Sequence, residues 1–126
     1  MAQKLVYVEL KSGYSHNGPA WIGYGNYNRT GNTLYFNGQI LRKGTGVSGN
    51  YYDFDTHDEY WVSGVKRNGS DRHGSGNGKI NIDSDVVPEY LALRNIKELP
   101  SNLYTVVSLI KTVAKEHHTN MTNEKL

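Results

Sequence analysis

Thr33-Leu34-Tyr35-Phe36-Asn37-Gly38-Gln39-Ile40-Leu41-Arg42 is the stretch on which the reading of this chain turns. Two β-prone tetrapeptides flank an Asn-Gly pair. A tight hairpin needs φ above zero at both central positions, which Asn and Gly tolerate best, so the segment predicts two antiparallel strands joined at 37–38. The same punctuation recurs on either side, because all 14 glycines lie between Gly13 and Gly78. Between these breaks, Leu5–Leu10, Ala20–Tyr27, Tyr51–Asp55, Glu59–Lys66 and Lys79–Ile82 are rich in aromatic and β-branched residues and read as further strands. Within 20–27, Trp21, Gly23, Gly25 and Tyr27 share one face and Ile22 and Tyr24 the other. The two glycines there suggest a bend or bulge.

Beyond Gly78 the pattern changes. Asp83-Ser84-Asp85 offers capping oxygens, and Pro88 falls within the first turn of a short helix running to about Leu93. After Pro100, the spacing of Leu103, Val106, Val107, Ile110, Val113 and Ala114 predicts a second, longer amphipathic helix over 101–117. The expected fold is mainly β with C-terminal α: a small, strongly bent antiparallel sheet or SH3-like partly open barrel, then one short and one longer helix. Its organisation reads as a β-barrel domain with a short helix over 1–95, an amphipathic helix over 96–117 packing on the barrel or on a partner, and a fraying polar tail over 118–126.

At 126 residues with no cysteine, the chain suits one domain and has no disulfide, thiolate metal site or cysteine nucleophile. Neither a leader-like apolar stretch nor a transmembrane run is legible, which predicts a cytoplasmic protein with no membrane partner. The net charge of +2 is spread as single Lys and Arg residues rather than clustered, so it selects neither nucleic acid nor protein as partner.

The densest chemistry is Asp53-Phe54-Asp55-Thr56-His57-Asp58-Glu59, with four carboxylates and a histidine in seven residues. Asp53, Asp55 and Asp58 are candidate ligands for a hard cation. Asp58, however, stands where a calcium loop of the EF-hand type needs glycine, and an acidic solvated turn is the better account of the run. His57, Glu59, Arg72 and His73 contain the types that metal-free phosphodiester cleavage requires: a base, an acid and a cation for the phosphorane. Tyr14, His16, Tyr52, Arg72 and His73 are candidate binding residues, because ten tyrosines beside scattered arginines suit either base stacking or an adaptable protein-binding surface. The glycine loops at 44–49 and 74–78 lack the Gly-Lys-Ser/Thr ending of a phosphate loop and open no helix, so no cofactor is expected.

Tyr7–Tyr14, Asn17–Gly23, Tyr35–Gly38, Gly49–Asp53 and Glu59–Lys66 resemble a group of short, uncharacterised bacterial proteins over roughly residues 5–93. Some members bear the name 1-deoxy-D-xylulose-5-phosphate synthase. Synthases of that name are several times longer and hold thiamine diphosphate and magnesium through a Gly-Asp-Gly motif that this chain lacks. The resemblance therefore implies no site residues. The reading from the residues is a small β-barrel binding or adaptor module that recognises a protein or peptide through an aromatic face and the 67–78 loop. The alternatives are a single-stranded nucleic-acid binder and a small metal-free hydrolase or nuclease, and a homodimer through the 101–117 helix is a further expectation.

Overall fold

The computed structural model describes residues 2–14, 17–73 and 76–111. Its elements are strands β1 (Ala2–Leu10), β2 (Ala20–Tyr27), β3 (Thr33–Phe36), β4 (Gln39–Lys43), β5 (Tyr51–Asp53), β6 (Glu59–Gly64) and β7 (Ile80–Asp83), a helical segment, and strand β8 (Tyr104–Val107). The helical segment is one 3₁₀ turn, Ser84–Val86, leading into α1 (Val87–Arg94). Asn37 and Gly38 close the β3–β4 hairpin with φ of 50° and 77°, the left-handed pair the dipeptide predicts.

Strands β1 to β6 pair antiparallel in sequence order, and β6 returns to β1 with Glu9 opposite Trp61 and Val8 opposite Val62. This last pairing shuts the cylinder, so the barrel is closed rather than partly open. The outer edge of β2 is shared. Its end at Asn26-Tyr27 pairs with β3, whereas Trp21 and Ile22 pair in parallel with β7, which carries β8 on its far side. The result is a six-strand barrel with a two-strand wing, β7 and β8, on β2.

Alternation along β1 and β2 divides the apolar residues between two cores. Val6, Val8, Leu34, Phe36, Leu41, Tyr51, Tyr60 and Val62 fill the barrel, with Trp21 and Tyr27 packed against them. Tyr7, Ala20, Ile22, Ile80, Ile82, Val86, Tyr90 and Tyr104 form the second core under α1 and the wing, joined by Trp61. Each fully buried Val, Leu, Ile or Phe contributes about 1.5–3 kcal/mol of transfer free energy. The glycines of β2 make no bulge, since β1 and β2 keep unbroken register from Ala2–Tyr27 to Glu9–Ala20. They serve close approach instead: a Cβ on Gly25 would stand 2.6 Å from Leu34 Cδ1 inside the barrel. Asp83 caps the 3₁₀ turn by accepting from the Asp85 N–H, and Asn95, at φ 56°, ends α1 in the left-handed region.

The expected second helix fails. The helix expected over 101–117 is, as far as Lys111, strand β8 followed by an irregular segment at 108–111. The 3.6-residue spacing of Leu103, Val106, Val107 and Ile110 is real, but Thr105-Val106-Val107 is a β-branched run, and the edge of β7 offers it a ladder. Tertiary pairing overrides a periodicity that carries little free energy alone. The helix on which the expected homodimer rests is, over 104–111, strand β8 and the irregular segment after it. Residues 112–117 of the expected helix and the tail 118–126 lie outside the described residues.

Candidate functional site

β1 projects Tyr7 and Glu9 away from the barrel, and just beyond its end Lys11 reaches the same carboxylate. Glu9 is completely buried, and all its partners are in place. Tyr7 Oη donates to Oε1 at 2.5 Å, the His73 N–H to the same oxygen at 3.1 Å, and Lys11 Nζ to Oε2 at 2.9 Å. Arg72 Nη1 lies 3.7 Å from Oε2. Burial, and then the carboxylate beside it, push the Tyr7 hydroxyl pKa far above its ordinary value, so Tyr7 stays a proton donor. Lys11 is itself almost completely buried, and a buried ion pair with satisfied lone pairs is a fixed joint.

The joint anchors the glycine-rich loop 67–79. Arg72 donates to three carbonyls, Gly18 at 2.7 Å, Lys79 at 2.8 Å and Gly78 at 3.1 Å, which ties the 67–79 and 11–19 loops together. Asn17 Oδ1 accepts from the N–H groups of Asn77 and Gly78. The His73 ring stacks on Trp61, with centroids 3.9 Å apart and planes 11° from parallel. Asp71 is buried and accepts from the Lys66 N–H at 2.7 Å; burial raises its pKa above the ordinary carboxylate value. Tyr90 and Tyr104 share a 2.7 Å hydroxyl contact, and Arg94 Nη1 donates to both hydroxyls.

Above this base opens a cleft of about 330 Å³, bounded by Gly69, Ser70, Arg72, Asn77, Leu103 and Tyr104. β8 forms one wall. Among the described residues β8 pairs on one edge only. The Ile80 N–H donates to the Leu103 carbonyl, and in a parallel ladder alternate residues face the neighbour, so the N–H and C=O of Val106 point to the open edge. The Val106 side chain is 55% exposed and that of Leu103 44%.

The residues singled out from the sequence fall into separate neighbourhoods. Arg72 and His73 are neighbours, but only Arg72 lines the cleft, while the His73 ring lies against Trp61. His57, at φ 66°, is exposed in the β5–β6 turn and stacks on Tyr52 with centroids 6.0 Å apart. Glu59 accepts from the N–H groups of Ser48 and Gly49, which lower its pKa. Tyr14 is exposed on the 11–19 loop, and His16 lies outside the described residues. Asp53 is a turn cap: it accepts from the Asp55 and Thr56 N–H groups and from Gln39 Nε2. Asp58 accepts from Thr56 Oγ1, and Asp55 is exposed. Among the described residues no group of three or more His, Asp or Glu side chains is placed to hold a metal ion.

Sequence reasoning passes over Glu9, Tyr7, Lys11 and Asp71. The signal is present in Tyr7-Val8-Glu9-Leu10-Lys11, where alternation sets a polar stripe opposite Val6 and Val8. Of the ten tyrosines, five are buried in the two cores, four are half-buried and only Tyr14 is exposed. No protein-family model matches the chain, and neither the curated proteins nor the solved structures give a match.

Proposed function

We propose that the protein is a binding module that takes an extended segment of a partner protein along the open edge of β8, with the cleft at the 67–79 loop receiving a neighbouring side chain. The observation that carries this reading is the pairing of a strand edge that is open among the described residues with a cleft lined by Arg72, which three loop carbonyls and the nearby buried Glu9 hold in place. Strand addition draws affinity from main-chain hydrogen bonds and specificity from side-chain pockets, and this face supplies both. A floor held by buried charge also spares the binding step the entropy of ordering a loop.

The test is a displayed peptide library selected on the immobilised protein, followed by Val106→Pro. Proline there removes the outward N–H and leaves the β7–β8 hydrogen bonds intact, so the fold is retained. Selected peptides should bind the parent chain and lose about tenfold or more in affinity with the variant, one to two main-chain hydrogen bonds' worth. Unchanged binding by Val106→Pro, or selection of no peptide at all, refutes the reading.

A further inference from the structure

Residues 108–111 belong to no regular element, yet side chains of the wing and the β3–β4 turn hold them. Leu109 enters the notch above Gly23, where a Cβ would come within 2.6 Å of its Cδ1, and packs on the barrel core. Ile110 lies over the Asn37-Gly38 turn; its N–H donates to Asn37 Oδ1 at 2.9 Å. The Leu109 N–H approaches Asp83 Oδ1 at 3.5 Å. The Lys111 ammonium bridges Asp83 and Asp85, 2.6 and 2.7 Å from their oxygens, and these contacts raise its pKa.

Every element of this groove reads one chemical class. The notch accepts a branched apolar side chain because Gly23 leaves it vacant. The Asn37 carbonyl accepts the N–H of an extended chain, and the paired carboxylates accept a cation. We propose that the groove is a recognition site for an apolar-apolar-basic segment of a partner protein, of the Leu/Ile-Leu/Ile-Lys/Arg type, and that residues 109–111 occupy it in cis. The resident segment displays the chemistry of the ligand. No sheet ladder ties it down, Ile110 and Lys111 are 65% and 59% exposed, and a cleft of about 240 Å³ beside it, lined by Tyr24, Tyr35 and Asp85, leaves room for a bulkier occupant. This site lies apart from the β8 edge, so its test stands independently of the preceding proposal.

A tethered occupant competes at an effective concentration of about millimolar, so the cis segment must be weakened first. The full chain carrying Leu109→Ala and Lys111→Ala, labelled with nitrogen-15, is titrated with the capped peptide Ser-Leu-Ile-Lys-Thr. Saturable shifts confined to Gly23, Asn37, Gly38, Asp83 and Asp85 are expected, with affinity about tenfold or more weaker for a peptide carrying Glu in place of Lys. The parent chain should respond at least about tenfold less. Absence of shifts up to about 2 mM peptide, shifts centred elsewhere, or conversion of the variant to a dimer by segment exchange overturns the proposal. If the double variant does not fold, Lys111→Ala alone, at an exposed position, takes the same titration: the same confined shifts support the proposal, and their absence or displacement overturns it.

Discussion

Replacing Glu9 by glutamine probes the joint beneath the loop. Gln can turn its carbonyl oxygen to the position of Oε1 and keep the hydrogen bonds from Tyr7 and the His73 N–H. Its amide nitrogen then meets Lys11 Nζ, a donor facing a donor at the 2.9 Å of the present pair, and the charge that neutralises Lys11 and faces Arg72 is lost. Lys11 has 3% of its side chain exposed and cannot escape to water without moving the chain. Breaking a buried pair from one side costs about 3–5 kcal/mol, a large share of the roughly 5–15 kcal/mol that holds a domain. Glu9→Gln should therefore lower Tm by about 10 °C or more and shift the urea midpoint with little change in slope. Adding Lys11→Met removes the stranded ammonium and should recover most of the loss, since apolar replacement of both partners is often neutral. Urea unfolding followed by tryptophan fluorescence suits the measurement, because Trp61 stacks on His73, next to the joint. A loss under about 1 kcal/mol for Glu9→Gln, or no recovery in the double variant, refutes the argument that this buried pair is a fixed joint.

Other outcomes follow from neighbouring contacts. Burial raises the Asp71 pKa, so its neutral form favours folding below the ordinary carboxylate pKa, and that contribution is lost as pH rises through the raised value. Asp71→Asn keeps an oxygen for the Lys66 N–H and should hold neutral-pH stability within about 1 kcal/mol while flattening this acid-side dependence in pH-resolved urea curves. Glu59 behaves in the opposite sense, its pKa lowered by the Ser48 and Gly49 amides: its contribution is present above its ordinary pKa and fades as pH falls through the lowered value. Amide exchange at Ser48 and Gly49 should gain openings at acid pH in the parent chain and lose that pH dependence in Glu59→Gln. Gly23→Ala places a methyl 2.6 Å from Leu109 Cδ1 and should push that flexible side-chain end aside, at about 1 kcal/mol or less, with faster exchange of the Ile110 amide; unchanged exchange there contradicts the notch.

Local chemistry makes most of the barrel legible. Asn37-Gly38 announces its hairpin because the backbone angles it needs are ones few residues accept, and the apolar runs of β2, β3 and β6 alternate as half-buried strands do. β8 escapes a sequence reading for a physical reason. Its only pairing among the described residues is with β7, where Tyr104 meets Ile80 across 24 positions of chain, and no local spacing encodes so distant a partner. Arg72 and His73 stand out because they sit among glycines, yet much of what positions them, Glu9 of β1, the Gly18 carbonyl and Trp61 of β6, lies far away in the sequence. Glu9 gives no sign in isolation, since a glutamate in an alternating strand normally faces water, and only the return of the 67–79 loop buries it. Leu109 and Lys111 fall inside the span that helical spacing claims, which hides the notch at Gly23 and the acid pair at Asp83 and Asp85.

The ring of strands also has a temporal side. β1 leaves the ribosome first and finds β2 soon afterwards, but its other neighbour, β6, begins only at Glu59. For all that interval Val6 and Val8 belong to a strand with one bare flank, an invitation to any nascent chain nearby. Slowing translation before β6 has emerged should therefore raise the insoluble fraction, whereas a pause after Gly64 has left the ribosome, once the circle can shut, should be harmless.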